Sequence, residues 1–298
     1  MRHMTCLKHI LPAVMALIIS LPLTAAADEN LAIYGLTGYT YTYSPIPSNG
    51  MHIQTGAMYS SFGSGKLNCR EGNIWVTPLS LTFGNGSWWE FAVASHWESW
   101  ENTDDYWPDD ADTEEDGIGD VFAGMKFRLL NQEKGMPLDL GVMVYGLFPT
   151  GDREISIGDL YLYNPGDEDD ISYGANLLLG RRWGGFYAAV NVGMNYLDTD
   201  IEHLEEETFF ASMTLEYQLS ETTTSYIEFI NNENKNRENY PEGSPCYDEN
   251  TDEDIQELGL GFTHVTGKWG FKLYGGAGLS KTSPDFRGML LINRGFSF

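Results

Sequence analysis

From Gly50 to the C-terminus, apolar and polar residues alternate in blocks close to the ~9 to 11 residues that a tilted strand needs to cross a bilayer. Trp89, Phe91, Val93 and Trp97 alternate with Glu90, Ala92, Ala94 and His96. Leu138, Leu140, Val142, Val144 and Phe148 alternate with Asp139, Gly141, Met143, Tyr145 and Leu147. A period of two puts each set on one face of a strand. The pattern predicts about twelve strands, near 51–61, 73–83, 87–97, 119–130, 137–148, 171–182, 186–197, 208–219, 223–231, 255–265, 269–279 and 287–298.

The connections alternate in length with a constant phase. Gly84-Asn85-Gly86, 131–136, Gly184-Gly185, Ser220-Glu221-Thr222 and Thr266-Gly267-Lys268 are short, and most of the segments between them are long, acidic and rich in Pro and Gly. Short periplasmic turns facing long extracellular loops are the habit of bacterial outer-membrane barrels. The expected fold is therefore all-β, a transmembrane antiparallel up-and-down β-barrel of about twelve strands over residues 50–298. A soluble sandwich or lipocalin-like barrel would alternate too, but gives no reason for the two loop lengths. Phe298, with Phe296, Ile292 and Leu290 at alternate positions, resembles the terminal signal read by the barrel-assembly machinery. Arg294 breaks that alternation, so either Gly295 makes a bulge or Arg294 points into the lumen.

Residues 1–27 read as a signal peptide: Arg2 and Lys8, an apolar run from Ile10 to Leu23, then Ala25-Ala26-Ala27. Residues 28–49 lack the strand pattern but hold Tyr34, Tyr39, Tyr41 and Tyr43, which suit either a periplasmic arm or a lumen plug.

Forty-three acidic residues against 17 basic give a net charge of −26, and the signal carries two of the bases and no acid. Nucleic acid is excluded as a partner. The expected surroundings are outer-membrane lipid and lipopolysaccharide, with a small-molecule solute. Cys69 and Cys246 fall in extracellular loops and are candidates for one disulfide. Between Glu98 and Asp116 the chain has ten acids and no Lys or Arg. Asp110, Asp112, Glu114 and Asp116 alternate as calcium ligands do, although Glu115 stands where an EF-hand needs Gly. No other cofactor is implied.

The same parity defines an inward set. Its lumen-lining candidates are His52, Glu90, His96, Lys126, Arg128, Asp139, Tyr145, Arg182, Asn191, Glu216, Glu257 and Lys272. They either fill a narrow barrel by pairing with each other or line a watery passage. So polar a lining argues against a simple oily duct. His96-Trp97-Glu98-Ser99 and His264-Val265-Thr266-Gly267 supply no lipase constellation, and no enzyme is expected, although acid chemistry at the rim stays open.

Three stretches, Gly119-Asp120-Val121-Phe122-Ala123-Gly124-Met125-Lys126-Phe127-Arg128-Leu129-Leu130, Phe148-Pro149-Thr150-Gly151-Asp152 and Ser283-Pro284-Asp285-Phe286, carry a resemblance over the last two-thirds of the chain. They are similar to outer-membrane barrels of the MetA-pathway-of-phenol-degradation family, within the broad fatty-acid and hydrocarbon channel superfamily. Ile33-Tyr34-Gly35-Leu36-Thr37-Gly38-Tyr39, with Pro45 and Gly50, resembles the start of exopolysaccharide-associated outer-membrane barrels. The first resemblance implies a channel or transporter, the second a non-conducting structural or assembly barrel. The leading expectation is passive passage of small solutes. Turn chemistry accounts for Gly119-Asp120 and Pro149-Thr150-Gly151-Asp152 without a binding role.

Overall fold

The computed structural model describes residues 30–67, 70–102, 113–151, 171–198, 206–233 and 254–296. Residues 1–27, Cys69, Cys246, Asp110, Asp112 and the side chain of Glu114 lie outside this set; Asp116 is exposed on a strand.

The strands are β1 (Asn49–Leu67), β2 (Arg70–Asn85), β3 (Trp89–Asn102), β4 (Thr113–Ile118), β5 (Val121–Leu130), β6 (Asp139–Phe148), β7 (Ile171–Trp183), β8 (Phe186–Asp198), β9 (Glu207–Gln218), β10 (Thr223–Asn232), β11 (Ile255–Thr266), β12 (Trp269–Gly278) and β13 (Phe286–Phe296). Each pairs antiparallel with its neighbour, and β13 returns to β1, so the sheet closes. Both β4 and β5 pair with β3, one with its upper half and one with its lower half. They are two pieces of one stave, and the barrel has twelve. Closure leaves no continuous edge to aggregate.

The break between those pieces joins two of the motifs quoted above. Asp120 accepts hydrogen bonds from the amides of Thr150 (3.0 Å) and Gly151 (2.9 Å), while the Thr150 hydroxyl accepts from Val121 N (3.0 Å). Gly119 is required here because a Cβ would stand 1.9 Å from the His96 ring. The two Gly/Asp motifs thus clamp one another where β5 meets β6.

The turns at one end are tight. Gly184 (φ 58°) and Gly267 (φ 57°) hold left-handed positions in two-residue hairpins, which few side chains tolerate. Outward residues such as Leu79, Val144, Leu177, Met213, Leu260 and Leu273 are 40–56% exposed, on every side of the barrel. So wide an apolar belt is stable only in lipid. Aromatic pairs border it: Trp88 with Phe127 and Phe186 with Tyr217 at the short-turn end, Tyr59 with Trp75 and Tyr173 with Tyr196 at the other. Such girdles mark the two interfaces.

Arg294 takes neither course expected for it. The ladder of β13 runs without a bulge from Phe286 to Phe296, so Arg294 keeps the outward parity of Leu290 and Ile292. Its guanidinium lies 5.2 Å from the rings of Trp269 and Phe296. A cation at the membrane boundary covered by aromatic faces needs no lumen position.

Inside, tyrosines lie flat on glycines. A Cβ on Gly174 would meet the Tyr145 hydroxyl at 2.1 Å, one on Gly261 the Tyr226 ring at 2.0 Å, and one on Gly259 the Tyr274 ring at 2.2 Å. Bare backbone on one strand berths the ring of the next, so large side chains hug the wall and leave the axis free.

Candidate functional site

The axis is filled by residues 30–48, which precede β1 and lie buried within the barrel apart from partly exposed Asn30 and Ile46. Two tight turns shape this segment, with Ala32 N bonded to Leu36 O (2.7 Å) and Tyr39 N to Thr42 O (2.8 Å); Gly35 takes φ 92° in the first. Ser44 N closes back on Thr37 O (2.9 Å).

Barrel side chains meet the polar backbone of this segment. Glu228 accepts from the amides of Thr40 (3.2 Å), Tyr41 (3.0 Å) and Thr42 (2.6 Å). Successive amides converging on one carboxylate form an anion-binding nest. Lys272 Nζ does the converse, donating to the carbonyls of Leu31, Gly38 and Tyr39. Asn191 pairs with both backbone polar groups of Tyr43, accepting from its N–H at 2.6 Å and donating to its carbonyl at 2.8 Å. Glu90 accepts from Thr37 N (2.9 Å) and its hydroxyl (2.7 Å), and lies 2.5 Å from Lys126, which also donates to Thr37 O and Ile46 O. Gln54 donates to Ala32 O and Thr82 to Gly35 O.

Apolar contacts hold the rest. Leu31, Ala32, Ile33 and Leu36 are fully buried, and Tyr34 stacks on Phe122 with centroids 4.6 Å apart. Tyr39 meets Tyr226 (5.0 Å), and Arg287 lies over the Tyr41 ring (5.4 Å).

Of the lumen candidates, Glu90, Lys126, Asn191 and Lys272 touch the segment directly. Arg128 pairs with Asp139 (2.6 Å), which also takes the Gln132 amide, so this pair fastens the β5–β6 turn. Glu257 holds Arg287 (2.8 Å) and the Tyr274 hydroxyl (2.7 Å). His96 faces Glu98 (3.2 Å), Tyr145 donates to Asn195, and His52 contacts Asn49 O (3.1 Å). Arg182 differs: its side chain is 48% exposed and stands 3.8 Å from Glu216. Both border a cavity of about 480 Å³, which also touches Glu221 and Thr222 of the β9–β10 turn. It therefore lies at the short-turn end.

Glu228 belongs to the inward set by parity, but no sequence signal marked it as the residue receiving three amides. Arg287 was missed; carrying the parity of Leu290 back along β13 would have placed it inside.

No family model matches the chain, and no curated protein matches it. Solved structures do resemble it. An outer membrane channel from Pseudomonas putida F1 is similar at 15% identity, with 88% of this chain and 100% of that one covered and a TM-score of 0.60. The translocator domain of autotransporter NalP from Neisseria meningitidis has 13% identity, coverage of 84% and 89%, and a TM-score of 0.47. The Pseudomonas putida toluene transporter TodX has 8% identity, coverage of 92% and 96%, and a TM-score of 0.44. The first likeness and the lipid-facing belt agree: this is a β-barrel of the bacterial outer membrane.

Proposed function

We propose that this barrel is an outer-membrane channel for small solutes, closed at rest by residues 30–48 acting as a plug. One observation carries the reading: the lumen is filled by a separate chain segment, tied to the wall through hydrogen bonds with Glu228, Lys272, Asn191, Glu90 and Lys126, instead of by wall side chains alone. A segment held by point contacts leaves as a unit, whereas a core built from wall residues does not. The Pseudomonas putida F1 neighbour being an outer membrane channel accords with this. The polar lining favours a polar solute over a hydrocarbon, and no residue is assigned a catalytic role.

Planar-bilayer recording tests it. The full chain should be largely silent and a variant lacking residues 30–48 should give discrete channel events. Silence of both, with the variant's strand content intact, would favour a second reading, a non-conducting structural barrel. The nearly complete burial of the lumen residues is what recommends that alternative.

A further inference from the structure

The cavity at the short-turn end lies on the seam between the inner segment and the barrel. Tyr39, Ser44 and Ile46 of the segment face Arg182, Tyr187 and Glu216 of β7, β8 and β9 across it. Its volume of about 480 Å³ is in the range that small ligands occupy.

Arg182 is the unusual member. Arg128 and Arg287 each hydrogen-bond a carboxylate, at 2.6 and 2.8 Å. Among the described residues, the carboxylate oxygen nearest the Arg182 guanidinium is 3.8 Å away, beyond hydrogen-bond reach. It lies 5.0 Å from the centroid of the Tyr187 ring, within cation–π range. A planar fork whose donors no described residue engages at hydrogen-bond distance suits a carboxylate. Glu216 stands beside it, its side chain 10% exposed, and Tyr39 and Thr224 line the same cavity. Glu221 adds a second negative charge at the margin, while Ile46, Pro47 and Val265 supply apolar surface.

A simple anion entering here meets Glu216 and Glu221, and a simple cation meets Arg182. A molecule carrying both charges a few bonds apart satisfies the fork and the carboxylate together, and each half alone is penalised by the group it leaves unanswered. We propose that this cavity binds a small zwitterion of the α-amino-acid type, its carboxylate on Arg182, its ammonium on Glu216 and its side chain against Ile46, Pro47 and Val265. The occupant bridges the inner segment and the wall. That it thereby keeps the channel shut rests on the reading proposed above; the binding site does not.

Calorimetry on the refolded full chain tests the site, with L-phenylalanine as probe and phenethylamine and 3-phenylpropionate as its two halves. Phenylalanine should bind, each half should bind at least about tenfold more weakly, and Arg182→Met should weaken phenylalanine about tenfold or more. Arg182→Lys keeps the charge but loses the fork and should fall near Arg182→Met. Either variant should retain the melting profile of the parent, since the hydrogen bonds of Arg182 to Gln132 run through its backbone and its side chain hydrogen-bonds none of the described residues. No heat from phenylalanine at about 10 mM, equal binding of the three probes, or unchanged binding by Arg182→Met would each overturn the assignment. The result is independent of conductance: phenylalanine binding by the full chain, with silence even of the barrel lacking residues 30–48, removes the channel reading and leaves the site, and channel events from that variant with no heat from the full chain do the reverse.

Discussion

The two halves of the inner segment are held by different physics. Residues 31–36 put Leu31, Ile33, Tyr34 and Leu36 into an apolar pocket, with Phe122 as a stacking partner and single bonds from Gln54, Thr82 and Lys272 to carbonyls. Residues 39–44 put four successive amides, Thr40 to Tyr43, onto Glu228 and Asn191. The first kind of contact is non-directional and fades gradually as surfaces part. The second is directional, and withdrawing one partner strands the others in a dry interior. On the plug reading proposed above, the polar half is therefore the latch, and the apolar half is packing that follows it.

Glu228→Ala gives the largest expected effect on that difference. Three amides lose their acceptor and Lys272 loses a nearby countercharge, a change of about 3–5 kcal/mol for a buried charged group whose partners remain. Hydrogen exchange of Thr40, Tyr41 and Thr42 should accelerate strongly in the full chain, and bilayer recordings should show openings that the parent lacks. Continued protection of these amides would make the apolar half the true anchor. Tyr34→Ala addresses that half and should cost about 3 kcal/mol through lost burial and stacking. Its signature is different: exchange rises around Leu36 while Thr40 to Thr42 stay protected. Gly261→Val should cost less, about 1–3 kcal/mol, by forcing the Tyr226 ring off its glycine and into the space of Tyr39. Because it disturbs the polar half through packing alone, amide exchange at Thr40 should respond more than at Leu36.

The twelve staves were legible because lipid makes one uniform demand on the outer face, and period two transmits that demand along each strand. Trp89, Phe91 and Val93 needed no knowledge of their neighbours to be assigned outward. The lumen answers to no single demand. Whether Tyr145 crosses the axis or lies along the wall depends on Gly174 standing opposite it, a register fact that one strand does not contain. Residues 30–48 have no period because they form neither helix nor ladder, so arm and plug were equal readings of the same tyrosines. Glu228 shows the gap most sharply. Its parity was readable, but its three partners lie 186–188 residues away in sequence, and only the closed barrel brings them together.

The smallest expected effect concerns which ions pass once the segment is gone. Inside the barrel the charges pair off: Glu90 with Lys126, Asp139 with Arg128, Glu257 with Arg287, Glu216 with Arg182. Removing the segment also exposes Glu228 and Lys272, one of each sign, so the lumen itself exerts little preference. The stretch from Glu98 to Asp116 carries no such balance, with ten acids and no base, five of the acids on β3 and β4 and five in the connection between them. Carboxylates gathered at a mouth attract cations, and low-dielectric walls focus their field into it. The segment-deleted barrel should therefore prefer cations by a modest factor in bilayers at low salt. Raising the salt from about 0.1 M to 1 M shortens the Debye length from about 10 Å to 3 Å and should erase most of the preference. Neutralising the carboxylates from Asp104 to Asp116 should do the same at low salt without changing conductance greatly. Anion preference at low salt would mean that freed Lys126 and Lys272 govern passage, and that the polar half of the segment had been masking the selectivity filter as well as latching the plug.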